Sequence, residues 1–173
     1  SDAHVPLHTT LNYNGQLTGQ KGIHAFWESR LPELFADDYD YLVGTAEYQY
    51  SALDVAWKAV EGSFNALDSV LLFDKELSQE FEQDKQYSYE KRGSKTIKVK
   101  SAEFSAAYHT KLDGMVERRL RLSVIAIGNL WYSAWVDAGQ PVLEGMQESE
   151  IPFTEDIKID HKITSDDARG HQH

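Results

Sequence analysis

The sequence predicts an all-α fold, and three observations support this prediction. Residues 51–81 and residues 101–138 repeat apolar side chains at intervals of three and four, which is the period of an α-helix. A shorter stretch after Gly22 shows the same spacing. The chain has 173 residues, of which 41% are hydrophobic and 12% aromatic, so it can bury the core of one globular domain.

Two short segments near the start carry residue types that bind metals, DAHVPLH at residues 2–8 and GIHAFWE at residues 22–28. A helix over residues 23–31 would project His24 and Glu28 from one face, because they are four residues apart. Pro6 restricts the backbone just before His8. Two imidazoles and one carboxylate leave a coordination position open, which is typical of a catalytic zinc site. By itself, H-x-x-x-E is a weak signal, since a solvated His-Glu pair has the same spacing.

The segment between these two motifs, residues 9–22, predicts a loop. It contains three glycines and an Asn-Gly pair, and it shows no helical periodicity. Because it connects the two motifs, it should lie beside any metal. Asn12, Tyr13 and Asn14 are therefore the local candidates for contact with a substrate, although turn chemistry explains the two asparagines equally well.

Two helices are expected next. The first begins after Gly22 and is kinked or restarted by Pro32. The second covers about residues 51–81, and Ser51 followed by Asp54 resembles the opening of a capping box. Its apolar stripe, with a spacing of threes and fours, consists of Leu53, Ala56, Trp57, Val60, Phe64, Leu67, Leu71 and Leu72.

Residues 82–100 are charged and contain tyrosines, and Arg92-Gly93-Ser94 indicates a turn between two weakly alternating segments. A small hairpin near residues 85–100 and a mobile loop are both compatible with this pattern. Beyond Ser101 we expect the longest helix, which ends near residues 138–141 and passes through the centre of the domain. Its stripe is Val116, Leu120, Val124, Ile127, Trp131 and Trp135.

Composition restricts the possible functions. The formal net charge of −11 argues against a broad basic groove for nucleic acid and against attraction to an anionic membrane, although bound cations can reverse the local charge. Without cysteine, a zinc site must use nitrogen and oxygen ligands. The longest apolar run, residues 122–136, is too short to span a bilayer comfortably, so no stable membrane insertion is expected.

The two motifs resemble those of the superfamily of zinc-dependent phospholipases C and single-strand-specific zinc nucleases. The pattern D-x-x-x-P-x-H is present from Asp2 to His8, and H-x-x-x-E from His24 to Glu28. Asn12, four residues after His8, matches the phospholipase signature. The short gap between the motifs looks like the phospholipase branch, whereas His4, Leu7 and Trp27 look like the nuclease branch. The overall pattern is most similar to an uncharacterised bacterial branch.

The resemblance implies an all-α zinc hydrolase that cleaves phosphate esters with up to three zinc ions. It assigns one complete zinc site to His8, His24 and Glu28, and it assigns to Asp2 a bridging role toward the other ions. The substrate would be a phospholipid headgroup or a single-stranded nucleic acid. Members of the superfamily are usually exported, which implies a periplasmic or secreted location.

The remaining family ligands would precede Ser1. Residues 1–145 are therefore expected to be the C-terminal portion of one all-α hydrolase domain and to be inactive alone. The N-terminal portion of the same protein would be their partner. Residues 146–173 are expected to form an acidic, mobile tail. The alternative hypothesis is a non-catalytic helical protein that binds zinc for structure.

Overall fold

The computed structural model describes residues 2–144 and shows a largely helical fold that is not all-α. About 59% of the described residues are helical and 8% lie in strands. The strands are β1, Tyr87–Arg92, and β2, Lys95–Lys100, which pair as an antiparallel hairpin. The all-α prediction is therefore wrong, and the fold is mixed.

The local sequence and the turn chemistry of the hairpin are compatible with each other. β1 and β2 alternate between more and less exposed positions, as expected for a ribbon with one face on the protein. Gly93 opens the two-residue turn with a φ of 61°, which glycine adopts without strain. Of the two possibilities left open for residues 82–100, the hairpin is therefore the one observed.

The ligand-bearing helix begins where expected. Two 3-10 turns precede it, Asp2–His4 and Pro6–Thr9, and the loop leads from the second turn to Gly22. The helical segment then consists of three consecutive parts, which are α1 (Ile23–Ala25), a π-helical turn (Phe26–Arg30) and α2 (Leu31–Phe35).

Pro32 explains why this helix widens into a π turn. Proline has no N–H, and its ring would collide with the carbonyl four residues earlier in a regular α-helix. The backbone N–H of Leu31 donates to the carbonyl of Phe26, five residues back, so the turn before the proline is wider than in an α-helix. Turns of this type frequently occur at functional sites.

The predicted second helix is confirmed as α3, Ala52–Glu80, and the Ser51 hydroxyl accepts a hydrogen bond from the Asp54 N–H at 3.1 Å. The apolar stripe does not coincide with the face that α3 buries. Of the eight stripe residues only Leu67 is buried, whereas Trp57 is 58% and Phe64 is 61% exposed. The buried positions of α3 are instead Ala59, Ser63, Leu67, Val70, Asp74 and Leu77.

The expected long C-terminal helix is divided in two. α4 is Ala102–Lys111 and α5 is Met115–Asp137, with Asp113 and Gly114 between them at positive φ. α5 ends near the predicted position. It is not the longest helix, since α3 is longer than α5, and its second half does not pass through the centre of the domain. Trp131, for example, is 75% exposed. The helical period of the sequence identifies an apolar stripe, but it does not identify a neighbouring element that covers the stripe.

The core lies between the ligand-bearing helical segment, α3, α4 and the start of α5. The Phe26 ring stacks on Tyr108 with ring centroids 4.9 Å apart, and the Tyr108 hydroxyl donates to the Val70 carbonyl at 2.7 Å. The buried cluster contains Val5, Leu7, Ile23, Phe26, Trp27, Leu31, Tyr39, Leu67, Val70, Leu77, Phe104, Tyr108, Leu112 and Val116.

A buried arginine connects the first 3-10 turn to α3 and α5. Arg119 Nε donates to the His4 carbonyl at 3.0 Å, and its Nη2 donates to the Ala59 carbonyl at 2.8 Å and to the Ser63 hydroxyl. Ser63 in turn donates to the Ala3 carbonyl at 2.6 Å. We call this set, formed by Arg119 and Ser63 on the backbone of residues 3 and 4, the arginine clamp.

Residues 2–140 lie in one compact unit. The predicted tail, residues 146–173, lies outside the described residues. Within the described part of the chain, no helix is both long enough and apolar enough to span a bilayer.

Candidate metal centre

Three of the predicted ligands converge on one point. The distance from His24 Nε2 to Glu28 Oε2 is 2.7 Å, that from His8 Nε2 to His24 Nε2 is 2.9 Å, and that from His8 Nε2 to Glu28 Oε2 is 3.6 Å. The two segments therefore bring two imidazole nitrogens and one carboxylate oxygen together across 16 residues of sequence. As a group, His8, His24 and Glu28 could hold a metal ion.

His8 is oriented by the backbone of the first 3-10 turn. Its Nδ1 lies 3.2 Å from the Asp2 carbonyl oxygen, which can only accept a hydrogen bond. In neutral His8 this contact places the proton on Nδ1 and leaves the lone pair of Nε2 directed at His24. A ring N–H held by a carbonyl, with the other nitrogen free, is the usual arrangement of a metal-binding histidine.

His24 and Glu28 are directed outward because the residues between them are directed inward. Phe26 and Trp27 are 4% and 3% exposed and anchor this side of the helix in the core. The opposite side then presents His24 and Glu28 in register across one turn. Side-chain exposures of 26% for His24, 29% for His8 and 41% for Glu28 leave the donors accessible to solvent and ligands.

The donor spacing fits a small metal ion. Three tetrahedral ligands at zinc-like bond lengths of about 2.0–2.1 Å lie about 3.3 Å from one another. The observed separations of 2.7, 2.9 and 3.6 Å lie on either side of that value, so side-chain shifts of a few tenths of an ångström suffice.

Asp2 contributes its backbone carbonyl to this centre through His8. Its side chain is not a member of the converging donor group, which among the described residues consists of His8, His24 and Glu28. Among the described residues the converging set therefore has three donors, and the bridging role of Asp2 remains a prediction from the resemblance.

Two of the three candidate substrate contacts, Asn12 and Tyr13, differ in their surroundings. Asn12 is buried and structures the loop, since its amide donates to the Thr18 hydroxyl at 3.0 Å and accepts from the Leu17 N–H at 2.8 Å. Tyr13 is 51% exposed, and its ring meets the His24 ring edge to face with centroids 5.9 Å apart. Tyr13 is thus the better placed of the two to touch a molecule at the metal centre.

Sequence reasoning missed the contacts that fix the position of the centre. Gln20 Nε2 donates to Asp74 Oδ2 and to the Leu71 carbonyl, both at 2.8 Å, which ties the loop to α3. The arginine clamp holds the segment that orients His8. Gly62 was the one sequence feature that indicated the arginine clamp, because a glycine inside a helix often marks a position where another group packs closely against the helix.

Comparison with family models, with curated protein sequences and with solved structures found no match to this chain. The function is therefore inferred from the geometry of the metal centre and from the motif resemblance.

Proposed function

We propose that this chain carries part of the active site of a zinc-dependent phosphoric-ester hydrolase. The observation that supports it most directly is the convergence of His8 Nε2, His24 Nε2 and Glu28 Oε2 within 3.6 Å of one another. Two histidines and one glutamate form a ligand set known from catalytic zinc sites.

The choice of zinc combines donor chemistry with the resemblance. Imidazole nitrogen suits zinc, copper, iron and nickel, and a carboxylate oxygen is compatible with each of them. The pattern formed by Asp2, His8, His24 and Glu28 resembles that of zinc phosphoesterases, which selects zinc within that group. Hydrolysis of a phosphate ester is accordingly the proposed reaction.

Each residue has a separate role in this proposal. When bound, zinc supplies Lewis-acid and water-activating chemistry for phosphoester hydrolysis. His8 and His24 supply neutral nitrogens, and Glu28 supplies the negative charge of the set. The Asp2 carbonyl holds the His8 ring in its binding tautomer, and Tyr13 provides an exposed phenol at the edge of the centre for contact with substrate.

An open site is favoured over a purely structural one by the exposure of the donors. Structural zinc sites are closed, with four protein ligands, whereas catalytic sites keep a position for water or substrate. His8, His24 and Glu28 are each more than a quarter exposed, and the described residues supply no fourth His, Cys, Asp or Glu donor to the group.

The first experiment measures zinc per chain by elemental analysis in the parent and in His24→Ala. We expect about one zinc in the parent and none in the variant. His171→Ala is the matched control, since it removes a histidine remote in sequence from the motifs and also tests metal binding by the terminal GHQH. Unchanged zinc content in His24→Ala would remove the basis for the proposed centre.

The second experiment measures hydrolysis by the full-length protein of single-stranded DNA and of a short-chain phosphatidylcholine, side by side. Cleavage of either substrate, abolished in His24→Ala and retained in His171→Ala, is the expected result. Zinc bound with neither substrate cleaved would instead support the non-catalytic alternative.

A further inference from the structure

Positive charge is concentrated in the hairpin. Residues 87–100 contain five basic side chains and one acidic one, a net charge of +4, in a chain whose formal net charge is −11. The rest of the chain therefore carries −15. The net charge of the whole chain does not show this local excess of positive charge. A local excess of this kind is typical of a surface that contacts anions.

The strand register places aromatic and basic side chains together on one face. Tyr87 pairs with Lys100, Tyr89 with Lys98, and Lys91 with Thr96, and directly paired residues share a face of the ribbon. We call this set the Tyr-Lys face, and it contains no acidic residue. Tyr89 is 73% exposed, and the Lys98 ammonium lies 3.9 Å from the centroid of the Tyr87 ring.

The opposite face attaches the hairpin to the ligand-bearing helix. Glu90 pairs with Arg30, and Arg92 pairs with Glu33. These pairs neutralise two arginines and hold the ribbon against the helix. On the Tyr-Lys face, Tyr89, Lys91 and Lys98 are exposed. Lys100, at the base of this face, is turned inward toward Asp74 and the Phe104 ring. Among the described residues, four lysines of this region have no carboxylate at ion-pair distance, namely Lys21, Lys91, Lys95 and Lys98.

A cavity of about 350 Å³ lies between the hairpin and the ligand-bearing helix. Ala25 and Ser29 line it, and each directly follows one of the metal-centre residues His24 and Glu28. The cationic residues of its lining are Lys21, Arg30, Arg92, Lys98 and Lys100, against the single carboxylate of Glu33. Arg30, Arg92 and Lys100 are paired with carboxylates. The unpaired positive charge that continues from the Tyr-Lys face toward the side of the metal centre is therefore that of Lys98 and Lys21.

Lysines on a two-stranded ribbon also protect its edges from pairing with other strands. That role requires charge but not exposed aromatic rings beside the charge. Exposed tyrosines interleaved with lysines suit single-stranded nucleic acid, whose bases stack on aromatic rings while its phosphates contact cations. An anionic membrane would meet the acidic remainder of the chain as well as the hairpin, which disfavours it.

We infer that the Tyr-Lys face, with Lys21 and Lys95 beside it, is a metal-independent binding surface for single-stranded nucleic acid. This inference does not depend on the proposed hydrolysis, because the surface uses charge and stacking rather than the metal centre. A strand bound there runs along the outside of the ribbon, with bases against Tyr87 and Tyr89 and phosphates against Lys91 and Lys98.

The experiment measures binding of a fluorescein-labelled 20-mer of thymidine by anisotropy, in EDTA, at 50 and 200 mM salt. Three to four phosphate contacts predict a slope of log K on log salt of about −2 to −3, or a loss of about 20-fold to 50-fold over this range. Because EDTA is present throughout, failure of the proposed zinc centre does not affect the result.

Matched variants locate the binding. Lys91→Gln with Lys98→Gln should weaken binding at 50 mM salt by about tenfold or more, whereas Lys58→Gln with Lys75→Gln, exposed lysines of α3, should leave it unchanged. Tyr89→Ala should weaken binding about fivefold or more through lost stacking, and Tyr89→Phe should retain it. Tyr50→Ala, which removes a ring 96% exposed outside the hairpin, is the aromatic control.

Three outcomes would overturn the inference. The first is no binding at 50 mM salt, and the second is an equal loss in the α3 double variant. The third is tight binding of phosphatidylserine vesicles that depends on Lys91 and Lys98, together with oligonucleotide binding that Tyr89→Ala leaves intact. That last pattern would identify a general cationic contact with membranes instead.

Discussion

Replacing Gly62 by alanine tests whether the arginine clamp is under steric control from α3. A Cβ atom at residue 62 would lie 2.8 Å from Arg119 Nη1, closer than packed atoms tolerate. The guanidinium cannot simply swing away, because three hydrogen bonds to His4, Ala59 and Ser63 hold it. Accommodating the methyl group should therefore displace at least one of these bonds.

The expected magnitude follows from two opposing effects. In a helix interior, alanine is favoured over glycine by about 1 kcal/mol. One lost hydrogen bond to a charged donor costs about 1.5–3 kcal/mol. Gly62→Ala should therefore lower the free energy of unfolding by about 0.5–2 kcal/mol. Gly128→Ala in α5 is the matched control, since nothing lies within 4 Å of a Cβ there, and it should raise stability by up to about 1 kcal/mol.

Urea denaturation followed by circular dichroism measures both variants against the parent at one zinc concentration. A shift of the midpoint in opposite directions for Gly62→Ala and Gly128→Ala is the expected result. Equal stabilisation in both variants would refute the reasoning, because it would show that Arg119 moves aside without cost. A second readout is zinc affinity, which should fall in Gly62→Ala, because the clamp holds the segment that orients His8.

Three further predictions concern pH, the loop and a helix cap. Burial first, and the Arg119 charge second, lower the pKa of His4 from 6.5 to about 4, so the folded state keeps it neutral. The unfolded state then binds more protons between these values, and stability should fall as pH drops from about 6.5 to about 4, by up to about 3 kcal/mol more than in His4→Gln. Gln20→Ala, which removes two hydrogen bonds to α3, should cost about 1–3 kcal/mol in thermal unfolding and weaken zinc binding measured by competition with a chelator dye. Ser51→Ala, which removes one capping bond, should cost about 1 kcal/mol, and Ser101→Ala should cost more in the same denaturation assay, because its hydroxyl also donates to the Lys85 carbonyl.

Local signals predicted most element positions but not which faces are buried. Ser51 marks the start of α3, and Gly139 follows the end of α5, because caps and stops depend on neighbouring residues alone. Burial depends on distant partners. α3 buries a face that contains Ser63 and Asp74, since Arg119 and Gln20 reach those residues from elsewhere, while most of the large apolar residues of its stripe are exposed.

The class prediction failed at a single element. Residues 82–100 gave weak alternation and a glycine turn, which leaves hairpin and loop equally compatible. The pairs Arg30–Glu90 and Glu33–Arg92 bridge residues about 60 positions apart and hold the ribbon against the helix. An isolated two-stranded hairpin is marginal in water, so these distant contacts decide whether it forms.

The metal centre could be predicted as a donor set because its spacing is partly local. One helical turn brings His24 and Glu28 together without help from the rest of the fold. His8 joins this donor pair only through tertiary contacts. The 3-10 turns must pack on α3, and the Asp2 carbonyl must hold the His8 ring. No periodicity encodes the contact of residue 119 with the backbone of residue 4.

Zinc binding and folding should be coupled through His8, because this donor, unlike His24 and Glu28, depends on tertiary contacts. The pair formed by His24 and Glu28 belongs to one helix and needs little of the fold, but His8 is oriented by the Asp2 carbonyl, next to the residues that the arginine clamp holds, and we expect its position to depend on the clamp. Zinc bound to all three donors should therefore stabilise the contact between the 3-10 turns and α3–α5, by about 2.7 kcal/mol at a free zinc concentration 100 times the dissociation constant. Variants of the clamp should lose this increment, whereas variants of the hairpin lysines, which lie outside the donor set, should keep it. A zinc-dependent rise in the melting temperature that is unchanged when Arg119 is replaced by methionine would show that His8 is positioned by something other than the clamp.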